Sequence, residues 1–255
     1  MKKKNINKIK FSIITVTKNS EKYLKKNIIS LKNQVYKNYE HIIIDAKSTD
    51  KTKKILKKYK TSLRILSEND KGIYYAMNKG IRLASGDVIG ILNSDDYYYP
   101  KALKIINDYF QKNPKIDFIF GTTIKYNKII SGFYPWKIYW TFGFYTTHSV
   151  GFFIRTKSQK KLGFYNTKFK CSSDYDLFYR MIVKKKMKGL STKKNQIIGY
   201  FRPGGFSDKI KYIDYLKENT KIRLHNGQNY LFVMIIHFLR YMKRWKLIIN
   251  QSKKI

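Results

Sequence analysis

The sequence predicts an α/β protein, a mostly parallel sheet flanked by helices, and three observations carry that expectation. Short apolar runs at residues 11–16, 41–45, 62–66 and 88–92 alternate with segments whose apolar residues recur at helical spacing. Two of the runs end in carboxylates, at Asp45 and at Asp95 with Asp96, where the strands of a parallel sheet gather ligands. A length of 255 residues with 43% hydrophobic content and no internal repeat supplies one substantial core.

In chain order, FSIITV reads as a buried strand, and Tyr23, Leu24, Ile28 and Leu31 place a helix over residues 21–33. The strand at 41–45 precedes a helix that begins near Asp50, with Thr52, Ile55, Leu56 and Tyr59 on one face. Beyond the third strand, Ile73, Ala76, Met77, Gly80, Ile81 and Ala84 form another helix, and the strand at 88–92 closes a first half, residues 10–99. The second half, 100–208, is looser: a helix to about Phe110, strands near 118–121 and 196–201, a helix over 174–185 and a turn at Gly204 and Gly205. Residues 209–255 read as a basic helical tail, and its apolar run at 230–238 is about half the ~20 residues a bilayer-spanning helix needs.

The formal charge of +38 favours an anionic partner, whether nucleic acid, a membrane surface or a phosphorylated substrate, while runs such as Lys53, Lys54, Lys57 and Lys58 also fit a plain lysine-rich bias. Cys171 stands alone, so no intrachain disulfide forms and a cytoplasmic location is the expectation. MKKKNINKIK leads directly into the first strand, without the apolar stretch and cleavage site of a signal peptide.

Asp45 stands where a base or ribose is accepted in such folds, and Ser48, Thr49 and Asp50 after it also read as helix caps. Asp95 and Asp96 are adjacent carboxylates that repel unless a cation lies between them and a ligand, which suits magnesium or manganese; a polar turn before Pro100 is the other reading. There is no G-x-x-x-x-G-K-[ST] loop, and no G-x-G-x-x-G follows the first strand, so phosphates need another holder. A metal on the Asp pair, helped by Lys71, fills that role.

The blocks SIITVTKNSEKYL, IIIDAKSTD, SENDKGIYYAMNKGI, LNSDD, HSVGFF, LGFYN, SSDYDL and GGFS, in this order over residues 10–208, resemble glycosyltransferase family 2. The resemblance implies a GT-A fold, a nucleoside-diphosphate sugar donor (UDP by family frequency), a divalent cation and transfer with inversion. In its terms 10–99 is the nucleotide-binding half and 100–208 the acceptor half. Thr15, Asp45 and Asp70 match positions that contact base and ribose, and Asp95 and Asp96 match the DXD-type motif, with Asp96 the expected metal ligand. Asp174 matches the general base, with Asp176 as the fallback, and His148 matches a histidine that contacts the diphosphate or orders the site; a structural histidine is the other reading. Three positions depart from the pattern: Lys18, Ala46 and Ser173. Ala46 predicts a loop that avoids positive φ.

Tyr134, Trp136, Tyr139, Trp140, Phe142 and Tyr145 can stack on acceptor sugars, pack in a core or meet a membrane, and Gly204, Gly205 and Ser207 form a turn that can close over phosphates. In the tail, Leu231, Met234, Ile235, Phe238, Leu239 and Met242 with Arg240, Lys243, Arg244, Trp245 and Lys246 give the profile of an interfacial helix or of one docked on the domain. The expected partners are therefore a nucleotide sugar, a glycan or lipid-linked glycan acceptor and an anionic membrane surface at its cytoplasmic face. Nucleic acid is not expected, because Asp45, Asp70, Asp95 and Asp96 would repel it; a nucleotidyltransferase would carry a Gly-rich, Arg-containing loop where TVTKNSEKYL stands.

Overall fold

The computed structural model describes residues 8–140 and 143–252, so the first residues of the basic N-terminus and Phe142 lie outside the described residues, as does the side chain of Ser207. The first half runs β1 (Phe11–Thr17), α1 (Leu24–Lys32), β2 (Tyr39–Asp45), α2 (Thr52–Lys58), β3 (Arg64–Ser67), α3 (Ile73–Leu83) and β4 (Val88–Ile91). Each of these elements was expected, and the ends differ by only a few residues. β1 and β4 are buried along their whole length, as strands covered on both faces must be. β1 pairs in parallel with β2 on one side and with β4 on the other. The order β3-β2-β1-β4 therefore reverses its winding between β1 and β4, which opens a crevice at their carboxyl ends.

The second half holds β5 (Tyr97–Tyr98), α4 (Ala102–Lys112), β6 (Phe118–Phe120), β7 (Thr122–Lys125), β8 (Lys128–Ile130), β9 (Phe152–Arg155), α5 (Thr156–Leu162), α6 (Ser173–Tyr179), β10 (Gly189–Ser191) and β11 (Ile197–Phe201). The helix expected over 174–185 is α6 followed by a π-helical turn, Arg180–Lys184. β9 inserts antiparallel between β4 and β6 and extends the main sheet to seven strands, β10-β6-β9-β4-β1-β2-β3. A second sheet, β5-β11-β7-β8, stands beside the crevice.

Period-two alternation divides the core between the sheet's two faces. Ile14, Val16, Ile42 and Ile44 join Phe118, Phe120, Phe152 and Phe178 on one face, while Phe11, Ile13, Val88 and Phe153 join Leu103, Ile106 and Phe110 on the other. On the first face α3 rides close to the sheet at Gly80, where any Cβ would collide with Ile14.

α7 (Tyr212–His225) and α8 (Tyr230–Ser252) form the tail. The boundary expected at residue 208 is crossed by buried polar contacts. Arg223 on α7 is 2% exposed and donates to Tyr139 O at 3.0 Å, and Asn226 at the end of α7 donates to Asp176 Oδ1 at 2.9 Å.

His41 on β2 is buried against the hydroxyl of Thr15, 2.9 Å from Nε2, and burial pushes its pKa down to about 3. The unfolded chain binds a proton there near pH 6.5 that the folded chain refuses, so this contribution to stability is present above pH 6.5 and is lost as pH falls toward 3. Between pH 7 and pH 5 the wild type should lose about 2 kcal/mol more than His41→Gln, each measured by urea denaturation. Parallel pH curves for the two proteins would refute this assignment.

Candidate active site

The crevice beyond β1 and β4 widens into a cleft of about 580 Å3. Its first wall is the loop after β1. Thr15 lies too deep to reach it: the residue is fully buried and its hydroxyl donates to Leu92 O at 2.7 Å, so the expected nucleotide contact of Thr15 is not what the fold builds. Thr17, on the same face at the strand's end, lines the cleft with a buried and unpartnered Oγ1. Lys18, Asn19, Ser20 and Tyr23 continue the wall.

Asp45 is withdrawn too. It is fully buried, Oδ1 accepting from Ser48 Oγ at 2.5 Å and Oδ2 from Ser67 Oγ at 2.6 Å. Of the residues that read as helix caps, only Asp50 bonds the start of α2, accepting from Thr52 N at 2.9 Å; the cap position itself is Lys51, and Ser48 is spent on Asp45. The loop does visit positive φ, at Lys47 (49°) rather than at Ala46, contrary to the expectation drawn from the alanine.

Asp70 does line the cleft. Its side chain is 3% exposed and Oδ1 is ion-paired to Lys79 at 2.5 Å, while Oδ2 has no hydrogen-bond partner, so accepting capacity remains for a ligand. Lys71 is exposed and turned off the cleft. The cations that line it, among the described residues, are Lys18, Lys125, Arg202 and Lys209.

The Asp pair separates into two environments. Asp96 is 2% exposed, with Oδ2 accepting from Ser149 Oγ at 2.5 Å and Oδ1 from Arg202 N at 2.8 Å. Burial first, and then the charge of Asp95, raise its pKa to about 8 against those hydrogen bonds. The carboxylate expected to hold a metal is thus engaged by protein donors on both oxygens. Asp95 faces the cleft with no hydrogen bond to another described side chain; burial raises its pKa and Arg202 opposes the rise. Gly205 passes so close that a Cβ there would lie 3.0 Å from Asp95 Oδ2, which explains a glycine in this turn. Asn93 Oδ1 is buried beside the pair without a partner.

The turn that carries Gly204 and Gly205 is held by Asp208, which accepts from Gly204 N at 2.6 Å and from Tyr126 Oη at 2.7 Å. Burial alone would raise the pKa of Asp208, but these bonds and the charge of Lys125 outweigh it and hold the carboxyl below its ordinary range. Lys125 is pulled the other way, its pKa lowered by burial although Asp208, Asp96 and Asp174 oppose the drop. Arg202 lays its guanidinium 3.6 Å over the ring of Tyr23, bridging second sheet and first wall.

Asp174 projects into the same cleft from the first turn of α6. Tyr74 Oη donates to its Oδ1 at 3.2 Å and Tyr145 Oη to its Oδ2 at 3.4 Å, while Tyr175 N also donates to Oδ1 at 2.9 Å. Two phenols held neutral by burial thus orient one carboxylate. Asp176, the fallback, is 1% exposed and bonded to Arg180 and Asn226, away from the cleft. His148 lines the cleft with Nε2 2.7 Å from Tyr165 Oη, and burial lowers its pKa while Asp174 opposes that.

The loop before Asp174 is gripped by the tail. Glu218 on α7 accepts from Lys170 N at 2.6 Å, Cys171 N at 2.8 Å and Ser172 N at 2.7 Å, three successive amides. Cys171 Sγ also donates to Glu218 at 2.7 Å, and burial and that bond push the thiol's pKa up to about 12, so it stays protonated. Of the expected aromatics, Tyr145 belongs to the cleft; Tyr134, Trp136, Tyr139 and Trp140 are exposed.

The structure thus brings the expected Asp70, Asp95, His148 and Asp174 to one cleft, together with Thr17, Lys125, Arg202 and Asp208, which the sequence did not single out, and sets Glu218 behind its Asp174 wall. Counting two residues on from Thr15 to the end of β1 would have found Thr17; nothing in the sequence marks Glu218.

Comparisons with known proteins agree with this architecture. An uncharacterized glycosyltransferase of Methanocaldococcus jannaschii is 32% identical over 186 residues, 67% of this chain and 64% of that protein. Chondroitin synthase of Escherichia coli is 34% identical over 134 residues, 50% of this chain but 20% of that protein, so this chain spans less than two thirds of either relative. Among solved structures, S. aureus TarS 1–349 in complex with UDP superposes with a TM-score of 0.66 at 19% identity, covering 92% of this chain and 71% of that one. Mannosyltransferase PcManGT from Pyrobaculum calidifontis, in complex with GDP-Man and Mn2+, gives 0.67 at 14% identity, covering 96% and 74%. Both structures share the fold of this chain, whose α/β sheet with flanking helices is of the GT-A type. With the family profile matching residues 12–198, the chain belongs to glycosyl transferase family 2.

Proposed function

We propose that the protein transfers a sugar from a nucleoside-diphosphate donor, UDP-linked by preference, to a hydroxyl of a glycan or lipid-linked glycan, with inversion, in surface polysaccharide synthesis on the cytoplasmic face of a membrane. The observation that carries this reading is the meeting in one cleft of an unengaged carboxylate, Asp95, with a second, Asp174, oriented by two tyrosines. TarS structures with UDP and UDP-GlcNAc, and the GDP-Man and Mn2+ complex of the mannosyltransferase, support a nucleotide-sugar donor. The chondroitin synthase and TarS relatives support a polysaccharide product.

In this reading Thr17 and Asp70, each with buried oxygen capacity to spare, receive the nucleoside. The residues fit a hard divalent cation, since magnesium and manganese need only one or two carboxylates when substrate phosphates complete their shell. Among the described residues no cluster of three His, Cys, Asp or Glu forms a protein-only cage, and Asp95 is the carboxylate open to such an ion. Bound there, the cation would neutralise charge on the departing diphosphate as a Lewis acid. Arg202, whose charge acts on Asp95, and Lys125, whose charge acts on Asp96, add positive charge at that end of the cleft. Asp174 takes the proton of the acceptor hydroxyl as its oxygen attacks the anomeric carbon, and the electron pair of the breaking C–O bond leaves with the diphosphate.

A thermal-shift panel of UDP-, GDP-, dTDP- and CMP-sugars, with and without manganese, tests the donor assignment. One donor class at a hundredfold excess over its Kd should raise Tm by about 5 to 10 °C only with the metal present. A panel in which no member moves Tm under either condition would remove the donor site.

A further inference from the structure

The longest helix turns its apolar stripe away from the protein. Leu231, Ile235, Phe238, Met242, Trp245 and Ile249 follow one another at alternating steps of four and three along α8, so they share one face, and their exposures are 69, 58, 60, 49, 45 and 39%. The side of α8 that packs on the protein is supplied instead by Val233, Ile236 and Ile248, each under 9% exposed. A helix of a self-sufficient domain does the reverse, and an exposed contiguous stripe of this size marks an interaction surface.

Two further observations identify the occupant. The first is charge: α8 has no acidic residue, Lys246 borders the stripe with Lys243 further round, and Arg240 and Arg244 fall on the side that packs on the protein, on a chain of net charge +38. The spacing of the stripe also suits a helix–helix seam, but a second copy would bring like charge against like charge with no acidic flank to pair it. An anionic lipid surface takes up the stripe, its bordering lysine and the excess positive charge of the chain together. The second is tryptophan: all three in the chain, Trp136, Trp140 and Trp245, are exposed, at 62, 52 and 45%, although this side chain carries the largest apolar payload. Trp140 stands edge-on to Phe232 at 4.8 Å, which ties the loop at 135–140 to the start of α8. Tryptophans held in this way suit the headgroup layer of a bilayer. No described helix is long and apolar enough to cross a membrane, so α8 lies along the surface, about 34 Å of it by helical rise.

We propose that the outward face of α8, with Trp140 beside its start, is the surface by which this protein lies on an anionic bilayer. The proposal rests on no donor-site residue.

Flotation with phosphatidylcholine vesicles, with and without phosphatidylglycerol, tests it, read alongside tryptophan emission. The wild type should partition onto the anionic vesicles at least about tenfold more strongly than onto the neutral ones, with a blue shift as the exposed indoles leave water. The variant Ile235→Gln/Phe238→Gln/Met242→Gln changes only exposed positions; it should lose roughly tenfold or more of that partitioning and keep the wild-type circular dichroism and donor-induced thermal shift. Undiminished binding by the variant would assign attachment to scattered lysines and overturn the proposal. So would equal binding to both vesicle types, or a dimer in solution whose emission lipid leaves unchanged. A failed donor panel with intact vesicle binding would sink the proposed reaction and leave this surface standing.

Discussion

Asp174→Asn is expected to lower turnover by roughly 10^2- to 10^4-fold, the range in which a positioned general base contributes, while donor binding stays at the wild-type level. The substitution is nearly isosteric, and an amide oxygen can still accept from Tyr74, Tyr145 or Tyr175 N, so the carboxylate's hydrogen-bonded setting survives. What is removed is proton affinity. The separation matters because loss of turnover alone would also follow from misfolding, whereas unchanged donor-induced stabilisation together with lost transfer isolates the chemical step. Steady-state transfer with any donor found by the panel provides the measurement, and turnover within about threefold of wild type would exclude Asp174 as base.

Asp95→Asn should abolish the manganese-dependent part of donor stabilisation and cut turnover by about a hundredfold or more, because a Lewis acid on the leaving group contributes several kcal/mol. Asp96→Asn provides the contrast. Its carboxyl already spends its oxygens on Ser149 and the Arg202 amide, and burial raises its pKa to about 8, so an amide replaces a group whose charge is already disfavoured. Metal dependence should persist in Asp96→Asn. A reversed outcome, with metal dependence lost in Asp96→Asn and kept in Asp95→Asn, would restore the assignment drawn from the sequence.

The first four strands and three helices were legible because strands buried on both faces have to be apolar throughout and amphipathic helices repeat their apolar positions. β9 was hidden inside an aromatic stretch, where Phe152 and Phe153 point to opposite sides of the sheet and no polar alternation marks the strand. Motif order picked out Asp70, Asp95 and Asp174, which the fold brings to one cleft from two loops and the first turn of α6. It erred by two residues at Thr15, because depth along a strand depends on where the sheet ends. It also ranked Asp96 over Asp95, because the donors that claim Asp96 come from Ser149 and Arg202, far along the chain. Long-range hydrogen bonds of this kind leave no local trace in composition or periodicity.

The hold of Glu218 on the amides of Lys170, Cys171 and Ser172 makes α7 part of the wall that carries Asp174 rather than a detachable handle. A shortened protein ending near Lys209 would keep the residues that line the cleft but lose the strut behind Asp174. A different C-terminal end grafted in its place would need an acid at the same spot to cap those three amides, or the loop would lose its anchor.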